Sequence, residues 1–111
     1  MSSMTTLQWR ELCSLEDIPL RGARRVRLGV QEIAVFRTSA NQVFAVNNHC
    51  PHKGGPLSEG IVHDTAVTCP LHSMVIELAT GTARGADTGC VKTYPVEVRG
   101  SGQVYLGIEA D

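Results

Sequence analysis

A chain of 111 residues is long enough for one small globular domain with a modest core. Hydrophobic residues make up 42% of it and charged residues 19%, as is typical of soluble globular proteins. The net charge of -1 argues against a basic nucleic-acid surface, and no apolar stretch approaches the roughly 20 residues that span a bilayer. We therefore predict a single domain over residues 1–111 that binds neither nucleic acid nor membrane.

Alternation of apolar and polar residues along the chain predicts mostly β-strands. In "RRVRLGV" the side chains of Val26, Leu28 and Val30 are expected to share one face of a strand. Two strands rich in β-branched and aromatic residues follow, and they are joined by a hairpin connection. These are "EIAVFR" and "QVFAVN", with "TSAN" between them. The later predicted strand segments are "IVHDTAVTC", "MVIELA" and "VKTYPVEVRGSGQVYLGI", where Pro95 belongs at an edge or a bulge.

One short helix is predicted near the N-terminus. Ser14 in "SLEDIP" is a candidate N-cap, and Pro19 limits the element to about one turn. With no other helical segment, seven to nine short strands predict an all-β fold, an antiparallel sandwich or barrel. The N-terminus lacks a basic region followed by an apolar one, so we expect no secretory signal and a cytoplasmic protein with reduced thiols.

Two pairs of metal-ligating residues are the most specific feature of the sequence. Cys50 and His52 lie in "CPHKGG", and after an interval of sixteen residues Cys69 and His72 lie in "CPLH". Zinc accepts two thiolates and two imidazoles, but zinc sites usually pair Cys with Cys and His with His. The mixed order favours a binuclear centre with both cysteines on one iron and both histidines on the other. A disulfide between the two cysteines, or four residues that only pack, remain alternatives.

The residues around both pairs resemble a known family. The segment "CPHKGGPLSEG" followed by "TCPLH" resembles Rieske-type ferredoxin domains, and the strand pattern fits them over nearly the whole chain. This resemblance implies a Rieske-type [2Fe-2S] cluster held in a small subdomain formed by two loops, at about residues 48–60 and 67–76. The cluster ligands that it implies are Cys50, His52, Cys69 and His72.

A narrower resemblance concerns the function. The segment "GTARGADTGCVKTYPVEV" and the short chain are similar to the small subunit of assimilatory NAD(P)H-dependent nitrite reductase. That resemblance implies a non-catalytic electron-transfer subunit whose large flavin and sirohaem partner reduces nitrite to ammonium. No glycine-rich nucleotide-binding turn follows a strand, so we expect no activity from this chain alone. The alternatives are a ferredoxin of an aromatic-ring dioxygenase, and a non-redox module with an empty or zinc-filled site.

Several residues outside the two pairs are expected to be structural. Cys90 is predicted to be a buried thiol and Cys13 a small core or surface residue, neither of them a ligand. His49 is assigned a supporting or surface role, and His63 is expected to face solvent. Trp9 is predicted to be a packing residue.

The ligand loops also predict a low reduction potential. By resemblance, high-potential respiratory Rieske proteins carry an extra cysteine in each loop, with a serine and a tyrosine near the cluster, and this sequence lacks that set. Because hydrogen bonds to the sulfurs raise the potential, we expect a midpoint near the bottom of the range of roughly -150 to +300 mV. Redox titration of the purified protein measures the midpoint, and a value well above zero would contradict the prediction.

Overall fold

β-Strands account for most of the computed structural model, which describes residues 6–49, 56–70, 74–84 and 89–110. Within these ranges ten strands and two short 3-10 helices confirm the predicted all-β class, with more strands than the expected seven to nine. The strands are β1 (Thr6–Ser14), β2 (Gly22–Leu28), β3 (Gln31–Arg37), β4 (Val43–Asn47), β5 (Ile61–His63), β6 (Ala66–Thr68), β7 (Val75–Glu77), β8 (Thr93–Tyr94), β9 (Val96–Arg99) and β10 (Gln103–Ala110). The 3-10 helices are Leu15–Asp17 and Leu57–Glu59. Across the described ranges, no helix has the length and apolar character needed to cross a membrane.

The strands form three antiparallel sheets. The terminal sheet has the order β1-β10-β9, the central sheet β2-β3-β4-β8, and the loop sheet β5-β6-β7. Pro95 lies between β8 and β9, which are the edge strands of the central and terminal sheets. Because proline cannot donate to a ladder, it suits this crossing from one sheet edge to another, as predicted.

Strand β3 is buried on both faces, and this places the central sheet between the other two. Ile33 and Val35 belong to an apolar cluster that includes Leu106 of β10. Ala34 and Phe36 point the other way, into a cluster with residues of the loop sheet. Since successive side chains of a strand alternate between faces, a continuous apolar run is what two covered faces require.

Strand β1 was not predicted from the sequence. It pairs along its length with β10, at the opposite end of the chain, and its register shifts between Glu11 and Cys13. Trp9 is half-buried against β10, and its ring atoms lie 3.3 Å from the position that a Cβ on Gly107 would take. The packing role predicted for Trp9 therefore has a definite partner. The mixed polar sequence of β1 gives no regular alternation from which to predict it.

The first hairpin corrects one prediction. Val26 and Leu28 pack on the cluster that holds Ile33, but β2 ends at Leu28 and Val30 is 97% exposed in the turn. Gly29, with φ of 62°, occupies the left-handed region that a two-residue hairpin turn requires. Val30 therefore does not share the buried face.

The predicted helical turn after Ser14 is present as the first 3-10 helix. The Ser14 backbone N–H donates to Asp17 Oδ2 at 3.0 Å, so the side chain of Asp17 reaches back to the helix start. Ile18, fully buried in the cluster with Ile33, follows directly. Pro19 comes next, and the helix ends before it as predicted.

Glu77 in β7 connects the turn between β5 and β6 to the segment that follows β7. Thr65, in the turn between β5 and β6, donates its hydroxyl to Glu77 Oε2 at 2.5 Å. Arg84 donates through Nε at 3.0 Å and through Nη2 to Glu77 Oε1. The Thr65 hydrogen bond first, and then Arg84, hold the pKa of the Glu77 carboxyl below its ordinary value.

We expect the stability contributed by Glu77 to depend on pH. A carboxyl with a lowered pKa in the folded state contributes stability above its unfolded pKa of 4.5, and that contribution is lost as the pH falls through the lower folded value. Glu77→Gln should therefore be less stable than the native protein at pH 7. The loss should be only about 1 kcal/mol, because partial exposure weakens the ion pair. Denaturant unfolding at several pH values measures this gap. A gap that does not narrow below pH 4.5 would contradict the assignment.

Candidate metal centre

Cys69 lies buried directly after β6, at the tip of the loop sheet. The residue is 1% exposed, and its backbone N–H donates to the Met74 carbonyl at 2.7 Å. Because β6 and β7 pair up to Thr68 and Val75, this bond closes the hairpin one step beyond the ladder. The second predicted ligand of this loop, His72, lies outside the described residues. The loop that carries Cys69 and His72 therefore starts and ends at the hydrogen-bonded pair Cys69 and Met74.

The first ligand loop is also anchored at both ends. It begins after β4 with Asn48, which is fully buried, and ends at the 3-10 helix Leu57–Glu59. Across the loop, Asn48 Oδ1 accepts the Ser58 backbone N–H at 2.7 Å. The predicted ligands Cys50 and His52 belong to the segment between these anchors and lie outside the described residues.

The bases of the two ligand loops contact each other. A Cβ on Gly60 would lie 2.2 Å from the Thr68 carbonyl oxygen and 2.9 Å from Val67 Cγ2. The φ of Gly60 is -80°, so the close approach, and not the backbone angle, requires glycine here. Leu57 and Cys69 also share one buried apolar cluster. The structure therefore brings the end of the first loop to the start of the second.

The donor set predicted from the sequence and the described residues around Cys69 fit a Rieske cluster. Two thiolates and two imidazoles on adjoining loops are the ligands that such a cluster takes. Within the described ranges no three His, Cys, Asp or Glu side chains come together, and Cys69 is the one predicted ligand that these ranges include. Cys69 packs with Leu57 and Met74, an apolar shell that limits the access of water. Such a shell controls the dielectric and the potential of a metal–thiolate site.

The two cysteines outside the motif occupy different environments. Cys90 is exposed and forms an isolated β-bridge with Thr82, so the prediction of a buried thiol is wrong for it. Cys13 is half-buried against the cluster that holds Ile33, and burial raises the pKa of its thiol although Arg24 opposes the shift. Cys13 is thus placed at the margin of the core, within the range of positions predicted.

The two histidines outside the motif also differ. His49 is exposed, which agrees with a surface or supporting role. His63 is half-buried, and its Nε2 lies 2.7 Å from the Thr68 hydroxyl across the β5–β6 hairpin. The expectation that His63 faces solvent is therefore corrected. The pairing of these strands brings the two side chains together, and a single-strand pattern does not reveal it.

Tyr94 is a residue near the first loop that the sequence did not single out. Its hydroxyl lies 2.7 Å from Asn47 Oδ1 and 2.9 Å from Gln31 Oε1. Burial raises the pKa of this hydroxyl, and Lys92 Nζ lies 5.2 Å from the ring centroid. Because Asn47 is the last residue of β4, Tyr94 fixes the point from which the first loop departs.

The comparison with known families decides what kind of domain this is. Residues 8–107 match the Rieske-like [2Fe-2S] domain family. The chain belongs to the Rieske [2Fe-2S] family. It is accordingly an electron-transfer domain that carries a Rieske-type cluster, and its fold is the antiparallel fold of Rieske ferredoxins.

Relatives of this Rieske domain include dioxygenase ferredoxins and nitrite reductase small subunits. The sequence is 37% identical to the 3-phenylpropionate/cinnamic acid dioxygenase ferredoxin subunit of Photorhabdus laumondii, over 90% of this chain and 94% of that protein. A solved structure from Mycobacterium tuberculosis, assigned as an NADH-dependent nitrite reductase small subunit, has a TM-score of 0.85 and 26% identity, over 96% of this chain and 99% of that one. A chain from the complex of reduced oxygenase and oxidized ferredoxin in carbazole 1,9a-dioxygenase has a TM-score of 0.77 and 30% identity. The match covers 87% of this chain and 99% of that one.

We expect Gly60 to be essential for the contact between the two ligand loops. In Gly60→Ala the added methyl meets a backbone oxygen, so the loops must move apart, and the stability should fall by about 3 kcal/mol. The control is Gly29→Ala, where the added Cβ meets nothing within 4 Å and only the positive φ costs about 1 kcal/mol. Iron content and denaturant unfolding measure both variants. The contact is unimportant if Gly60→Ala loses no more iron or stability than Gly29→Ala.

Proposed function

We propose that this Rieske domain is the electron-transfer small subunit of an assimilatory NAD(P)H-dependent nitrite reductase. The observation that supports the proposal most is the likeness to the Mycobacterium tuberculosis small subunit, with its TM-score of 0.85 over 96% of this chain and 99% of that one. The likeness extends over nearly the full length of both chains. The proposed partner is a large subunit with flavin and sirohaem, in the cytoplasm.

The proposal includes the ligands of the cluster. Cys50 and Cys69 are assigned to one iron, and His52 and His72 to the other. When bound, the cluster supplies a one-electron relay between a reduced flavin and the nitrite-reducing site of the partner. The chain holds these ligands on two loops whose bases share a buried apolar cluster, which excludes water from that side.

Catalysis belongs to the partner in this proposal. Reduction of nitrite to ammonium takes six electrons and needs a site that binds nitrite, whereas a Rieske centre passes one electron at a time. The sequence offers no glycine-rich turn after a strand that would bind a nicotinamide cofactor. The role of this chain is therefore to bind the cluster and to dock on the catalytic subunit.

A second candidate function is a ferredoxin of an aromatic-ring dioxygenase. The 37% identity to the Photorhabdus laumondii ferredoxin subunit supports it, because this value exceeds the 26% identity to the Mycobacterium tuberculosis small subunit. Both candidates use the same cluster and the same ligands. They differ only in the protein that gives the electron and the protein that takes it.

Reconstitution with purified partners separates the two candidates. We expect the native Rieske domain to co-purify with a flavin and sirohaem subunit and to support nitrite-dependent oxidation of NAD(P)H. Cys69→Ser should lose the EPR signal of the reduced cluster and this support, because a buried ligand is missing. The matched control is Cys90→Ser, which should keep both since Cys90 is exposed and outside the motif.

Two results would overturn the proposal in different ways. If the domain supports ring hydroxylation with a dioxygenase and its reductase, but not nitrite reduction, the second candidate function is correct. If Cys69→Ser keeps a native EPR signal, the ligand assignment is wrong whatever the partner.

A further inference from the structure

Asn48 is a buried polar residue at the start of the first ligand loop. It is 0% exposed, and Thr38 is the other buried polar residue among those that the structure describes. An uncharged amide in an apolar core is costly unless its donors and acceptors find partners. Its position two residues before Cys50 makes those partners important for the cluster site.

The partners of Asn48 belong to two different segments. Its Nδ2 donates to Glu32 Oε1 at 2.9 Å, and its backbone N–H donates to the Glu32 carbonyl at 2.9 Å. Its Oδ1 accepts the Ser58 backbone N–H at 2.7 Å. Glu32 lies in β3, whereas Ser58 lies in the 3-10 helix that ends the loop. One side chain therefore joins the beginning of the ligand loop to its end and to the central sheet.

One of the hydrogen bonds at Asn48 is charge-assisted. The bond to Glu32 has a carboxylate acceptor, and bonds to charged groups are stronger than neutral ones. The nine residues between Asn48 and Ser58 include Cys50 and His52, so the bond to Ser58 closes a short ring of chain around two predicted ligands. Closing the loop in advance reduces the conformational entropy that cluster binding would otherwise have to overcome.

We propose that Asn48 is the positioning residue of the first ligand loop and that its amide, oriented by Glu32, sets how firmly the cluster is held. The proposal concerns the cluster that the family carries and does not depend on which redox partner is used. It assigns Asn48 no direct contact with iron. The loop geometry, and through it the retention and potential of the cluster, is what Asn48 controls.

A charge-conserving exchange tests the proposal. Asn48→Asp keeps the acceptor for the Ser58 N–H but sets a second carboxylate against Glu32, so cluster loss should become about tenfold faster. Asn48→Asp/Glu32→Gln places the donor on residue 32 and restores the bond and the net charge, with the carboxylate now on residue 48 and the exposed ion pair between Arg27 and Glu32 removed. This double variant should lose its cluster at nearly the native rate, with the native midpoint potential and EPR spectrum. Cluster loss is followed by visible absorbance at pH 8, well below the unfolding temperature.

The matched control is Thr38→Val, at the opposite end of β3. Thr38 is a comparable buried clamp, because its hydroxyl accepts the Ala40 and Gln42 N–H groups at 3.3 and 3.1 Å and so ties a different loop. Thr38→Val should lower the unfolding temperature but leave cluster loss, the potential and the EPR spectrum unchanged. If Asn48→Asp does not fold, Glu32→Ala removes the same hydrogen bond from the other side and should also accelerate cluster loss.

The results that would overturn the proposal are specific. If Asn48→Asp lowers the unfolding temperature as Thr38→Val does but loses its cluster at the native rate, Asn48 is only a core residue. The proposal also fails if the double variant recovers the native unfolding temperature but not the retention of the cluster. In either case the assignment of the family and of its cluster would stand.

Discussion

Strand β3 has two faces to cover, and the arrangement of the molecule follows from that requirement. Ile33 and Val35 need apolar partners on one side, and Ala34 and Phe36 need them on the other. The terminal sheet covers the first side and the loop sheet the second. Because both clusters are anchored on the same four-residue run, the loop sheet has a defined position on the central sheet.

The end of the domain that binds the [2Fe-2S] cluster depends on the apolar side-chain cluster around Ala34 and Phe36. Leu57 ends the first ligand loop, and Cys69 and Met74 flank the second, and all three are buried in the cluster that Phe36 anchors. A ligand loop whose base is part of a packed core is held more precisely than one fixed only by its own backbone. The contact of Gly60 with the Thr68 carbonyl adds a steric constraint to the same end of the molecule.

The same scaffold serves proteins with different redox partners. Relatives of this Rieske domain include a dioxygenase ferredoxin and a nitrite reductase small subunit, both matched over most of their length. What they share is the core that holds the cluster, since electron transfer needs a fixed cluster and does not need a particular partner. The choice of partner depends on exposed side chains, which the fold leaves free to vary.

Local patterns in the sequence were sufficient for much of the fold and for the chemistry of the site. The alternation in β2 and the buried run in β3 indicated strands, Pro19 marked the end of a helical turn, and the mixed cysteine and histidine pairs indicated the cluster. These features depend on residues close together in the chain, where period, turn chemistry and ligand type can be recognised directly.

Only the tertiary structure decided the features that depend on distant partners. Strand β1 exists because β10 lies beside it, and the exposure of Cys90, which bridges to Thr82, is visible only in the fold. Asn47 ends β4 and Asn48 follows it, and the two look alike in sequence. Of the two, Asn48 alone is fully buried, bonded to Glu32 and Ser58. A buried polar side chain is defined by which donors and acceptors the fold brings to it, and the sequence around it does not encode that geometry.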